Sequence, residues 1–207
     1  VLNLFYDYEG QKQDLIRYMR ETENQLQILL CELAAYLHNK DMEINVWDRI
    51  IAFEGRMHEF IKAAYDYQDN TFHSHPGYYI DYFEMRLAQL QVLHNLHYEI
   101  KKIRKMPKQA LVIADYIMYM ADYVVEMNIP DQQIEKLEEI SEQMKQEELP
   151  KTREEFEGRA LLYHILMDLE EFLVYKKRFV NGLDEKKLRI YWKQEMEQKD
   201  SANELQK

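Results

Sequence analysis

The segment Leu149–Phe179, LPKTREEFEGRALLYHILMDLEEFLVYKKRF, reads as the start and body of a long helix. Pro150 closes whatever precedes it, because proline has no amide hydrogen and its ring clashes with the turn before. Thr152 with Glu155 matches the capping pattern T-x-x-E, in which the hydroxyl takes up a backbone N–H orphaned in the first turn. Leu162, Leu166 and Leu173 then recur at helical spacing, to about Val180. Glu155 and Arg159 fall on the arc of these leucines, as an i,i+4 pair in the favourable order. The charges at the mouth of the helix therefore have two candidate tasks, starting the helix and serving inside the protein.

The same periodicity extends outward in both directions. Downstream, NGLDE (residues 181–185) interrupts the helix and a polar tail helix follows to about Gln198, with residues 199–207 as a frayed tail. Upstream, MNIPD (residues 127–131) turns the chain into a short acidic fifth helix that Pro150 ends. Pro107 suits the first turn of a fourth helix carrying Leu111, Ala114, Met118, Ala121 and Val125. A third helix is expected from about Tyr78 to Lys105, after the loop DNTFHSHPG (residues 69–77) with its Pro76-Gly77 breaker. Asn45 caps a second helix with Trp47, Ile50, Ile51, Met57, Ile61 and Tyr65 on one face. The first helix carries Leu15, Met19, Leu26, Leu30, Leu33 and Leu37 and ends around residues 38–40. Long helices of roughly 20 to 30 residues would run about 30 to 45 Å, and short connections make sequential helices antiparallel. The expectation is an all-α, elongated up-down bundle of four long helices, plus a short fifth helix and a C-terminal tail helix. It forms a single domain over residues 1–207, with residues 1–9 set aside as a linker.

Composition bounds the function. Hydrophobic residues make up 46%, enough for a core, and five glycines and four prolines are few for a β-rich chain. The formal net charge of −11 argues against a nucleic-acid partner, whose protein would carry a basic footprint. No run of about 18 apolar residues is present, so this chain does not itself span a membrane, and no signal-peptide pattern appears. The sequence begins at Val1, as an excised piece of a longer protein would. The single cysteine, Cys31, excludes an internal disulfide and any multi-cysteine metal site, reads as a small buried hydrophobe, and fits a reducing compartment. Charge is nonetheless segregated. Residues 131–157 are acidic, KKIRKMPK (residues 101–108) has five basic residues and no acid, and residues 176–189 are again basic. Both basic runs sit at helix C-termini, where they complement the dipole; contact with an anionic membrane surface is the alternative.

Helical projection points several charges toward the interior. Glu54 falls in the arc of Trp47, Ile50, Ile61 and Tyr65, with His58 one turn on; Arg86, His94 and His97 share the arc of Tyr79, Phe83 and Leu90. With Glu155 and Arg159 they make a candidate polar core, because buried charges cost several kcal/mol unless paired. The expected arrangement is an ion-pair cluster near the end of the bundle. The sharper alternative is a pocket whose arginines grip a small carboxylate ligand. No metal and no cofactor is expected. The metal alternative would draw on His58, His94 and His97. None of the seven histidines has a glutamate three residues before it, as a di-iron bundle requires, and H-E-x-x-H is absent. Phosphate-loop, dinucleotide and nucleophile-elbow motifs are also missing, so no enzyme is expected.

Residues 149–179 resemble the signature of the C-terminal domain of the putative aromatic acid exporter family of bacterial membrane proteins. There a leucine-proline and a threonine-arginine-glutamate-glutamate-phenylalanine run open the final long helix. YYIDYFEMRLAQLQVL (residues 78–93) is similar to that domain's aromatic-Met-Arg-x-x-Gln helix. The helix order agrees from about residue 10 to 180. Gly158 departs from the pattern, where a bulkier polar residue is expected. The resemblance implies a chain on the cytoplasmic side of the cell membrane that follows a transmembrane, permease-like part of the same protein. Its role would be regulation, oligomer assembly or ligand sensing, and its partners the membrane part, a second copy or a small carboxylate. It supplies no catalytic residues. A stand-alone bundle that binds a small anionic ligand is the alternative, and a metal-dependent bundle enzyme the third. If Val1 faces the membrane, an up-down bundle puts residues 176–189 nearer the bilayer than residues 101–108.

Overall fold

The computed structural model describes residues 2–39, 45–70 and 77–193, with side chains from residue 8. Among the described residues there are seven helices and no strand: α1 (Leu2–His38), α2 (Val46–Asp69), α3 (Gly77–Lys102), α4 (Ala110–Ala121), α5 (Asp131–Lys145), α6 (Arg153–Asn181) and α7 (Glu185–Tyr191). The all-α class is as expected. The four long helices are α1, α2, α3 and α6; α4 and α5 form a shorter hairpin inserted before α6. Residues 2–9, set aside as a linker, are the first turns of α1. The tail at residues 199–207 and most of the 69–77 loop, with His73 and His75, lie outside the described residues.

Side-chain pairs fix the direction of each helix. Tyr18 stacks on Phe60 with ring centroids 4.4 Å apart, and Glu32 pairs with Arg49 at 2.7 Å, so α1 and α2 are antiparallel. Tyr67 meets Tyr79 and Trp47 meets His94, which reverses α3 on α2. Tyr82 lies against Phe179, and the Gln89 amide donates to the Phe172 carbonyl at 2.7 Å, so α6 is antiparallel to α3. Gln27 donates to the Val124 carbonyl at 3.3 Å while His38 reaches Asp115, which runs α4 down α1. Residues 176–189 therefore lie at the end where α1 begins, with Tyr191 against Tyr79. Residues 101–108 lie at the opposite end, beside the start of α6.

Alternate spacings of three and four residues bring each helix to the core. On α1, Leu15, Met19, Leu26, Leu30, Leu33 and Leu37 are all buried as expected. On α2 the buried stripe is Val46, Ile50, Phe53, Met57, Phe60, Ala64 and Tyr67. That differs from the expected face: Ile51 and Tyr65 are 44% and 46% exposed, because the stripe facing both α1 and α3 is rotated away from them. α3 packs on α1, α2 and α6 and is buried on most sides, which makes it the central helix. Each fully buried large apolar side chain contributes roughly 1.5–3 kcal/mol. Cys31 is half-buried rather than buried; burial, then Asp122 and Glu32, raise its thiol pKa.

Gly158 has a steric reason. A Cβ there would stand 2.9 Å from Cγ of Pro107 and 3.4 Å from the Lys105 carbonyl oxygen. The chain leaving α3 crosses α6 at this point, and only a residue without a side chain lets the two backbones approach. The turn through Pro107 precedes α4 rather than opening it, with Ala110 N–H bonded to the Pro107 carbonyl.

Candidate functional site

Arg86 is the largest fully buried side chain, 1% exposed, on the face of α3 that looks toward α1 and α6. Its Nη1 donates to Gln89 Oε1 at 2.9 Å, and Gln89 in turn donates to the Phe172 carbonyl of α6. Its Nη2 lies 3.5 Å from Glu23 Oε1 on α1, and its guanidinium stands over the Tyr82 ring at 5.1 Å. Tyr82 donates its hydroxyl hydrogen to the same Glu23 carboxylate at 2.9 Å. One arginine thus ties three helices together through a carboxylate, an amide and an aromatic face. Its Nε and Nη2 find no hydrogen-bond partner among the described residues. Beside them lies a cavity of about 10 Å³ between α3, the α4–α5 turn and α6. That is room for a single water molecule and too small for a carboxylate ligand.

A second buried cation continues the network. Lys176, 3% exposed, donates to the carbonyls of Val125 (3.2 Å) and Glu126, and its ammonium lies 5.5 Å from the Trp192 ring. The Glu126 carboxylate accepts from the buried Tyr78 hydroxyl, which itself accepts from the Trp192 indole N–H at 3.0 Å. Burial raises the carboxyl pKa of Glu126, against the pull of Tyr78, and burial raises Tyr78 strongly. Tyr191 stacks on Tyr78 at 3.8 Å. α7 is thereby fastened over the end of the charged core.

The expected four-residue core is divided in space. Only Arg86 occupies the deep interior. Glu155 and Arg159 form their pair at 2.6 Å, but at the mouth of α6. There Arg159 also donates to the Glu148 carbonyl, and Glu155 accepts from the Lys151 backbone N–H at 2.9 Å. Thr152 accepts from the Glu155 N–H at 3.1 Å, so the cap forms as predicted. The Lys151 N–H first, then Arg159, hold the Glu155 carboxyl below its ordinary range. Arg159 lies thirteen residues from Phe172 along α6, about 20 Å at the helical rise, so it cannot share a ligand with Arg86. Glu54 sits apart again, half-buried, 3.5 Å from His94 Nδ1. The expected single cluster is three separate pairings, because the charges occupy different levels of an elongated bundle.

The histidines have structural surroundings. His94 and His97 pack on Trp47, with ring centroids at 4.5 and 6.3 Å, and His58 is exposed. Burial, then Lys101 and His94, lower the His97 pKa. Among the described residues no three His, Cys, Asp or Glu side chains gather as metal ligands. On α6, the half-buried Asp168 is pushed up to about 6 by desolvation, then by Glu99 and Glu171.

Lys176, Glu126 and Glu23 are absent from the candidates read in the sequence. Lys176 carried a usable signal, since it follows Leu169, Phe172 and Leu173 in the same alternation of spacings and so had to face the core. Glu23 and Glu126 carried none, because their burial depends on which helix lies opposite.

The chain belongs to the putative aromatic acid exporter C-terminal domain family, whose model matches residues 12–177. It is similar to an uncharacterized protein of Bacillus subtilis (strain 168), YqjA, with 26% identity over 181 residues. That match takes in 86% of this chain and 55% of the relative, so the chain spans about half the length of the curated relative it matches. A crystal structure described as a putative membrane protein from Clostridium difficile 630 has the same fold, with a TM-score of 0.73 at 23% identity. It covers 81% of this chain and 97% of that one.

Proposed function

We propose that this chain is the non-catalytic, cytoplasmic C-terminal domain of a transporter-like membrane protein, where it serves assembly and regulation of the membrane part. Family membership carries this reading, and the polarity of the bundle supports it. α1 begins at the same end as the basic residues of α6 and α7, the arrangement that suits a bundle suspended from an anionic bilayer surface. No helix of the described residues is long and apolar enough to cross a membrane, so any spanning part lies elsewhere in such a protein.

Ligand sensing is the weaker part of the reading. Arg86, the residue best placed to grip a carboxylate, is already engaged by Gln89 and Glu23, and the cavity beside it admits one water. The interior charges are better understood as a lock that fixes helix register.

The sidedness is tested with the full-length gene product. Alkaline phosphatase and fluorescent-protein fusions placed after residue 207 report which side of the membrane the domain occupies. Fluorescence without phosphatase activity is expected; an active phosphatase fusion would exclude a cytoplasmic domain.

A further inference from the structure

Among the described residues, α7 is the one helix that buries none of its own side chains. At 7 residues it is too short to hold a helical shape in water by itself, so its form depends on what it touches. The grip comes from Tyr191, its last residue, and Trp192, the residue after it. Tyr191 stacks on Tyr78 with ring planes 5° apart and meets Tyr79 edge-on at 5.6 Å. Trp192 is 2% exposed, donates its indole N–H to the Tyr78 hydroxyl at 3.0 Å and lies beside the Lys176 ammonium. Lys187, half-buried, adds attraction to Asp81 of α3. The remainder of α7 looks outward, with Lys186, Arg189 and Ile190 exposed.

The joint between α6 and α7 is well defined. Gly182 donates its N–H to the Arg178 and Phe179 carbonyls, and Leu183 donates to that of Val180. The Leu183 side chain is buried, so the chain belongs to the bundle through residue 183. Asp184 then caps α7 by accepting from the Lys187 N–H at 2.7 Å. A hinge therefore falls at Asp184, between a fixed end and a short capped helix.

What lies under α7 survives its removal. The Tyr78 hydroxyl keeps the Glu126 carboxylate as acceptor, and Lys176 keeps the Val125 and Glu126 carbonyls. Lifting Trp192 takes away one donor and one ring face, and water replaces both, so no buried polar group is stranded. The cost of lifting is chiefly the apolar contact of two aromatic side chains, a small part of what holds α1 to α6 together.

We propose that α7 is a latch. It swings about Asp184 between the closed position of the structure and an open one that uncovers Tyr78, Glu126 and Lys176, while α1 to α6 stay folded. Open, it presents a cation, a carboxylate and a phenol at the end of the bundle where α1 begins; closed, it withholds them. A swing of this kind needs only the chain itself, whichever side of a membrane the domain occupies.

Hydrogen exchange of residues 1–207, followed by mass spectrometry in rising urea below the unfolding transition, tests the hinge. Amides of residues 185–192 should exchange at least about a hundredfold faster than the centres of α3 and α6, with little dependence on urea, as a local opening requires. Exchange of α7 only together with α3 and α6, at the same urea dependence, overturns the proposal. Acetylation of Lys176, read on the cleaved peptide, tests what opening uncovers. Tyr191→Ala with Trp192→Ala should raise its rate about tenfold or more while circular dichroism shows the bundle still folded. An unchanged Lys176 rate in the folded double variant overturns the proposal. So does a double variant that unfolds altogether, because α7 would then be part of the core and not its cover.

Discussion

Arg86 poses the sharpest energetic question in the molecule. A guanidinium 1% exposed must recover several kcal/mol of desolvation from its surroundings. Glu23, Gln89 and the Tyr82 ring supply that recovery from within the chain. Arg86→Met keeps most of the volume but strips Glu23 of its cation, and should cost on the order of 3 kcal/mol in urea unfolding. Adding Glu23→Gln should return most of the loss, because the amide still accepts from Tyr82 and no lone charge remains. A double variant no more stable than the single one would show that Arg86 answers to something other than Glu23. The inward direction of Arg86 was legible in the sequence, since its position falls among Tyr79, Phe83 and Leu90. Its partner was not: Glu23 stands on α1, and which acid of α1 meets α3 is decided by the mutual rotation of two helices.

At the scale of elements, the starts of α2 and α6 were legible because capping is local chemistry: Asn45 and Thr152 each cap through their own side chain. The bounds of α4 were not, since it begins after the Pro107 turn and ends at Ala121, short of Val125, and the Asp184 cap of α7 appears only in the structure. Faces were legible only where one stripe dominates, as on α1. On α2, Trp47, Ile51 and Tyr65 are as apolar as the residues that are buried, and contact with α1 and α3 together decides between the two overlapping arcs. The α3–α6 contact also carries a pH signature. Asp168 keeps its proton in the folded protein up to about 6, against an ordinary value of 3.8. Above pH 6 the folded state bears the full penalty of a half-buried carboxylate. As the pH falls through 6 toward 4 that penalty disappears, so this residue makes the fold more stable toward acid. Asp168→Asn should therefore stabilise the protein at pH 7, with the gain shrinking to nothing by about pH 4 in thermal melts. A gain independent of pH would place the effect elsewhere.

Across the whole molecule the organising feature is polarity along the bundle axis. α1 begins, α6 ends and α7 folds back at one end; the α3–α4 connection and the cap of α6 occupy the other. The antiparallel order follows from short connections and was legible as such. The α4–α5 hairpin was less so, because its shortness follows from the turns around Pro107 and Pro130 rather than from periodicity. This polarity is what the proposed attachment to a membrane part requires. The most direct test of it uses the full-length protein in anionic vesicles, labelled with a fluorophore at Lys186→Cys or Lys105→Cys in a background with Cys31 and any other cysteine of the full-length protein replaced, with a quencher on the lipid headgroups. Strong quenching at position 186 and weak quenching at position 105 is predicted. Equal quenching at both positions, or stronger quenching at 105, would contradict it.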